Sequence, residues 1–265
     1  MSEVIVITSG KGGVGKTTTT ANLGVGIAMR GKKVVLVDTD TGLRNLDLLL
    51  GLENRIMYDL IDVAEGRVPY KKALVRHKKY EGLYLLPTSQ VKDKSAVHPE
   101  QLVKLCEELR REFDYILLDC PAGIEQGFKT AIAAADRAIV VTTPEMSAVR
   151  DADRIIGELG RADKDDIKLI VNRIRPKMVE SRDMMNMEDI DEFLSLECIG
   201  QVPDDEAVIT STNKGDPVIS MENSMAGKAY RNIVGRIFGE SVPFLELAKG
   251  SFLDRLKRVL GIKRG

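Results

Sequence analysis

Short apolar runs alternate with helix-length stretches along this chain. The runs are Val4–Thr8, Val34–Asp38, Leu83–Leu86, Tyr115–Asp119, Ala138–Thr142, Lys168–Asn172 and Cys198–Val202. Several are apolar at consecutive rather than alternate positions. Strands covered by helices on both faces read that way. Between them, Lys16–Arg30 ends at Gly31, a suitable residue just past a helix C-terminus. Pro99–Glu112 opens on a proline, which suits a first helical turn. Ser147–Gly160 and Met225–Phe238 are the other clear helical stretches. The alternation predicts an α/β fold: a doubly wound, mostly parallel sheet with helices on both faces.

Two segments break the rhythm. Pro176–Asp191 carries Met178, Met184, Met185 and Met187 among charges. It reads as a loop and short helix whose methionines fill gaps, or as an adaptable partner surface. Gly239–Gly250, with Pro243, reads as a linker between a body of residues 1–238 and a last helix over 251–265.

The bulk numbers narrow the class. A chain of 265 residues with 43% hydrophobic and 30% charged residues can bury a core and stay soluble. Its formal net charge is −1, so no global basic field attracts nucleic acid and any electrostatic targeting is local. Cys106, Cys120 and Cys198 are far apart and odd in number, which suits a reduced, intracellular protein. The chain opens directly into Val4-Ile5-Val6-Ile7, so no signal peptide is expected. No run of about 18 apolar residues predicts a membrane span.

The first strand leads into Gly10-Lys11-Gly12-Gly13-Val14-Gly15-Lys16-Thr17, a full G-x-x-x-x-G-K-[ST] phosphate loop between a strand and a helix. Gly12, Gly13 and Gly15 permit backbone conformations that turn N–H groups toward phosphate oxygens, and Val14 lies among them. The following helix adds the partial positive charge of its N-terminus. Lys16 supplies the ammonium for the β- and γ-phosphates of ATP. The Thr17 hydroxyl is a candidate Mg²⁺ ligand, and Thr18 can donate to the α-phosphate. Lys11 is the unusual letter. It is either a solvated surface charge or a cation serving a phosphate in a partner subunit.

Carboxylates end two strands: Asp38 and Asp40 after Val37, and Asp119 after Leu118. In an open parallel sheet, ligands sit off the C-terminal strand ends, so all three should approach the phosphate loop. Asp119 fits a Mg²⁺ carboxylate of the Walker B kind. Asp38 or Asp40 fits a water-mediated Mg²⁺ contact or the positioning of attacking water. The plainer alternative is that such aspartates cap turns. Pro121-Ala122-Gly123 follows as a hinge-like loop suited to sensing a γ-phosphate.

The C-terminal Lys249–Gly265 places Phe252, Leu253, Leu256, Val259 and Leu260 within an arc of roughly 120° on a helical wheel. Asp254, Lys257 and Arg258 fall opposite. Lys249, Arg255, Lys257, Arg258, Lys263 and Arg264 face a single acid, Asp254. The pattern suits an anionic lipid surface, or a helix docked on the protein core.

Lys11 within Lys-Gly-Gly-Val-Gly-Lys-Thr, together with Gly42-Leu43-Arg44-Asn45-Leu46-Asp47, Pro121–Glu125, Thr143-Pro144-Glu145, Ser147–Asp151 and Gly215-Asp216-Pro217-Val218, resembles the deviant Walker A ATPases of the MinD/ParA family. The resemblance covers nearly the whole chain. It implies a P-loop NTPase fold and a bacterial ATPase of division-site placement, peripheral on the cytoplasmic face of the membrane. It implies an ATP-dependent homodimer in which Lys11 reaches the opposite subunit's nucleotide. Asp40 then resembles the residue placing the hydrolytic water, and Asp38 lies beside Mg²⁺. Asn172 resembles an adenine-reading asparagine, with Pro203 and Asp204 near the base. The implied partners are a MinC-like division inhibitor, a MinE-like activator of hydrolysis, and anionic lipid bound through the tail. Three other readings are weaker. A DNA-binding partition ATPase would need a basic body surface. A cluster-carrying reductase would need paired cysteines. A module that binds without hydrolysis would not need the three carboxylates.

Overall fold

A computed structural model describes residues 2–41, 45–89 and 97–247. The Gly42–Arg44 part of the second motif and the whole tail from 248 onward, with its candidate lipid contacts at Phe252, Leu253, Leu256, Lys257, Arg258, Val259 and Leu260, lie outside them. So do the last residues of the expected linker.

The strands are β1 (Glu3–Thr8), β2 (Val34–Asp38), β3 (Val75–Arg76), β4 (Leu83–Leu86), β5 (Tyr115–Asp119), β6 (Arg137–Thr142), β7 (Ile167–Ile174) and β8 (Cys198–Pro203). They form one sheet in the order β3-β4-β2-β5-β1-β6-β7-β8. Every pairing is parallel except that of β3 with β4. The α/β, doubly wound expectation is therefore met. The seven expected runs are seven of these strands, and the added one is the two-residue β3 at the edge. Its residues Val75 and Arg76 are too short a run to declare themselves by periodicity.

The helices are α1 (Lys16–Met29), α2 (Leu46–Leu49), α3 (Leu60–Ala64), α4 (Tyr70–Ala73), α5 (Pro99–Leu109), α6 (Gln126–Ala134), α7 (Met146–Arg161), α8 (Pro176–Glu180), α9 (Met187–Leu194), α10 (Glu206–Asn213) and α11 (Met225–Ile237). The sheet separates two cores. One joins alternate strand residues such as Val4, Val6, Ile116 and Leu118 to α5, α6, α7 and α9. The other joins Ile5, Ile7, Leu36 and Leu117 to α1 and α11. Strand residues are buried at consecutive positions because neighbouring side chains serve opposite cores.

Helix α1 has little amphipathic character because it is covered on several sides. Thr19, Ala21, Leu23, Val25 and Ile27 are all buried. It ends as read from the sequence: Gly31 takes φ +75° and donates its N–H to the Ala28 carbonyl. In the methionine segment, Met185 and Met187 pack against the core, while Met184 lines a surface groove with Glu145 and Met146. The described part of the expected linker is fastened to the body. Glu240 pairs with Arg30, and Arg236 donates to the Val242 carbonyl at 3.0 Å and stacks on Phe244. Among the described residues no helix is long and apolar enough to cross a membrane.

Candidate nucleotide site

The phosphate loop joins the central strand β1 to α1. Gly15 is the N-cap of α1, at φ +102°, a conformation that strains any residue with a side chain. A Cβ there would also lie 2.3 Å from the Asn172 amide nitrogen. Gly10 has a different reason. A Cβ on it would meet the backbone carbonyl of Asp151 in α7 at 2.1 Å. Gly12 and Gly13 have the opposite surroundings, since a Cβ on either would meet nothing within 4 Å. The loop is thus wedged at both ends and open in the middle, and Lys16 and the N-terminus of α1 border the opening. That is the cradle a phosphate chain needs.

Ser9 Oγ donates to the Lys11 carbonyl at 2.8 Å, and Gly123 N donates to the Ser9 carbonyl at 3.0 Å. The loop after β5 is therefore tied directly to the phosphate loop, as a sensing loop would have to be. Lys16 is buried. Lys11 is exposed on the rim, its ammonium 3.1 Å from Ser147 Oγ and 3.7 Å from the Glu145 carboxylate. Ser147 and Glu145 were legible only as residues of motif segments. Nothing in the sequence spacing pairs them with a lysine more than 130 positions away.

The carboxylates converge as expected. Asp38 lies in register with Asp119 on adjacent strands, and Ile7, just before the loop, is in register with Asp119 from the other side. Both aspartates are buried. Burial pushes the Asp119 carboxyl up to about 6, against the pull of the Thr17 hydroxyl, the Lys16 ammonium and the Thr20 hydroxyl. Asp38 is raised well above the usual carboxylate range, first by burial and then by the charge of Asp119. Asp40 is half-buried, and its N–H donates to Asp38 Oδ1 at 3.0 Å. Thr20, which no motif flags, donates to Asp119 Oδ1 at 3.2 Å. Its signal was the spacing from Lys16: four residues on a helix share one face.

Two buried carboxylates side by side, with a threonine hydroxyl on one of them, fit a hard divalent cation that takes oxygen ligands. Among the described residues no three His, Cys, Asp or Glu side chains gather to hold a metal by themselves.

Asn172, on β7, donates its amide to the Val14 carbonyl at 2.8 Å and accepts from the Arg173 N–H at 2.9 Å. It braces the loop from the side opposite the carboxylates. Pro203 ends β8 in a buried position. The exposed Asp204 is bonded by Arg175 Nε at 2.6 Å, and its own N–H donates to the Ile174 carbonyl. Asn172 and the Pro203–Asp204 turn thus lie on neighbouring strands at the same end of the sheet.

The chain is similar to known proteins in sequence and fold. A model of the ParA family, described as NUBPL iron-transfer P-loop NTPase, matches residues 1–238. The septum site-determining protein MinD of Bacillus subtilis is 53% identical over 267 residues, covering 99% of this chain and 100% of that one. The MinC:MinD cell division protein complex of Aquifex aeolicus contains a chain with TM-score 0.88 and 49% identity, covering 93% of this chain and 100% of that one. A MinD complexed with Mg-ADP from Pyrococcus horikoshii has TM-score 0.81 and 30% identity, covering 89% and 96%. Cys106 and Cys120 are buried, with thiols pushed up to about 12 by burial, and they sit on different elements.

Proposed function

The chain belongs to the MinD branch of the ParA family of P-loop NTPases, and from that premise we propose that it is an ATP-driven membrane switch for placing the division septum. The observation that carries the reading is the division of labour between two lysines on one loop. Lys16 is buried at the cradle, whereas the Lys11 side chain is 43% exposed and, among the described residues, held only by a serine and a glutamate 3.7 Å away. Two cations on a small loop repel unless an anion lies between them. A weakly held Lys11 on the rim is free to meet the nucleotide of a second subunit.

In this reading the backbone of Gly12, Gly13, Val14 and Gly15, the Lys16 ammonium and the Thr17 and Thr18 hydroxyls hold the phosphates of ATP. Thr17, Asp119 and Asp38 would hold Mg²⁺ directly or through water, and when bound the ion would supply charge neutralisation for phosphoryl transfer. Asp40 orients the attacking water, and Lys11 of the facing subunit stabilises charge on the transferring phosphoryl group. Asn172, Pro203 and Asp204 border the base. Residues 1–238 form the ATPase body, 239–250 the linker and 251–265 the lipid-binding helix. Each basic residue of the tail contributes about 1 kcal/mol near an anionic leaflet. One tail therefore binds reversibly, and two on one dimer gain about 10²–10⁴ in avidity. Hydrolysis removes the γ-phosphate, the dimer opens and the protein leaves the membrane. A MinC-like inhibitor binds the dimer, and a MinE-like activator speeds hydrolysis.

Light scattering on the Asp40→Ala variant, with ATP and then ADP, tests the switch. A doubled mass with ATP alone is expected. Equal masses would remove the switch. Lys11→Ala should fold, bind nucleotide and stay monomeric; ATP-dependent pelleting of that variant with anionic vesicles would rule out the proposed role of Lys11.

A further inference from the structure

The end of the sheet opposite the phosphate loop carries an open groove of about 730 Å³. Its cations come from two distant parts of the chain. Lys32 and Lys33 lie between α1 and β2, and Arg76 and Lys79 lie on β3 and the turn after it. Glu81 is the only acid among the lining residues. Parallel pairing of β2 with β4, Val34 opposite Leu83, brings the two lysine-bearing segments together. The approach is close: Val34 N donates to the Gly82 carbonyl at 2.9 Å, and a Cβ on Gly82 would lie 2.9 Å from the Lys32 carbonyl.

The charges are unequally satisfied. Arg76 lies 3.6 Å from Glu81, and Lys79 lies 2.6 Å from Asp216. Lys32 and Lys33 are exposed and form no ion pair among the described residues, and the neighbouring Lys78 is likewise exposed. Glu112 and Asp114 lie near Lys33 without closing an ion pair with it, and fold stability does not account for lysines gathered this way, since like charges repel across the groove. Their rim is not purely polar. Met29 is 53% exposed there, and Tyr80 and Tyr84 line the wall. Basic side chains interleaved with amphipathic and apolar ones suit the headgroup layer of a bilayer.

The chain departs from the same end. Phe238 packs edge-on against Tyr115, 5.6 Å between ring centroids, with the Arg30 guanidinium 5.4 Å from its ring. Arg30 pairs with Glu240, so the segment leading toward the basic tail begins beside the Arg30–Lys33 turn. The segment begins in the layer of α1 and α11, where Phe238 and Leu245 pack, and then turns toward β8, its last described residue Leu247 packing against the other core.

We propose that this groove is a second lipid contact, through which the body itself rests on an anionic bilayer beside the tail. The proposal rests on the membrane reading given above. The groove and tail together would fix the orientation of the body, and the nucleotide edge, at the other end of the strands, stays clear of lipid. A second contact joined to the first also gains from effective concentration, so a modest patch has a measurable effect.

Co-sedimentation of the full-length protein with ATP, on phosphatidylglycerol–phosphatidylcholine vesicles and on phosphatidylcholine alone, tests it. Lys32→Ala/Lys33→Ala should weaken binding to the anionic vesicles about thirtyfold. Its unfolding midpoint and basal ATP hydrolysis should not change. Lys32→Arg/Lys33→Arg should restore binding, since only charge is required. Lys104→Ala/Lys129→Ala, on α5 and α6 of the other layer, controls for net charge. Binding of the groove variant within twofold of the unaltered protein, or an equal loss in the control, overturns the groove while leaving the tail intact. Failure of the unaltered protein to pellet with ATP removes the membrane reading and the groove with it. Lys32- and Lys33-dependent binding to a DNA duplex, with vesicle binding unaffected, assigns the surface to nucleic acid and overturns the proposal.

Discussion

At one end of the sheet Asp38 and Asp119 are buried side by side in register; at the other, Lys32 and Lys33 stand exposed with no ion pair among the described residues. The two ends hold like charges in opposite ways. Burial opposes ionisation of the carboxylate pair, and a rigid frame of hydrogen bonds from Thr20 and the Asp40 N–H holds it in place. Solvation makes the lysines inexpensive to keep, so the basic end presents charge at its surface. The first arrangement gives selective binding in fixed geometry. The second gives adjustable, salt-sensitive contact with an extended surface.

The largest expected effect falls on the nucleotide end. Lys16→Ala should leave the fold intact, because an ammonium held for an anion adds nothing to the core. It should lower ATP turnover by at least about 10²-fold, as removal of one preorganised charge donor does. Phosphate release and binding of a fluorescent nucleotide check this. Turnover within a few-fold of the unaltered protein would contradict the buried lysine's role.

Two glycines sharpen the contrast within the loop. Gly15→Ala puts a Cβ at φ +102° and against Asn172, and should lose about 1–3 kcal/mol of stability. Gly12→Ala meets nothing and should stay within about 0.5 kcal/mol, yet obstruct phosphate. Urea unfolding and nucleotide titration separate the two. Equal stability losses would mean that Gly12 is as confined as Gly15, and that the loop is not open in its middle.

The smallest effect concerns the basic end and pH. His77 lies beneath the groove. Burial lowers its pKa, against a bond to the Leu50 carbonyl that raises it, and Nδ1 accepts from the Lys79 and Tyr80 N–H groups. The folded protein therefore favours the neutral ring, while the unfolded chain takes up a proton below about 6.5. Stability from this site is fully present above that pH and is lost as pH falls below it. His77→Asn should flatten the urea midpoint between pH 7.5 and pH 5. An unchanged slope would assign the pH dependence to other groups.

Much of this was readable in advance, for identifiable reasons. Seven strands showed themselves as short apolar runs, several of them apolar at consecutive positions because they face two cores. Gly31 marked a helix end that no other residue type would tolerate as easily. The phosphate loop was legible since its chemistry lies within eight consecutive residues, and the strand-end aspartates were legible from their place after apolar runs. The short helices α2, α3 and α4 were not, because four or five residues show no period. Nor was α6, whose sequence QGFKTAIAA mixes small and apolar residues without a clear stripe. The Asn172 bond to Val14, the resting place of Lys11 on Ser147 and the Thr20 bond to Asp119 each join residues more than 95 positions apart.

The amino-acid order by itself determined the alternation of elements, the sheet's parallel sense, the phosphate loop and the family to which they point. These are local properties, set by side-chain type at short spacing, and they survive without knowledge of what lies next to what. Folding decided which strands became neighbours. That choice set the distance from Asp38 to Asp119, gave Lys11 its partners and gathered residues 32–33 with 76–79 into a groove. Electrostatic effects depend on separation and burial in space, and strand order is what converts positions in a chain into those two quantities.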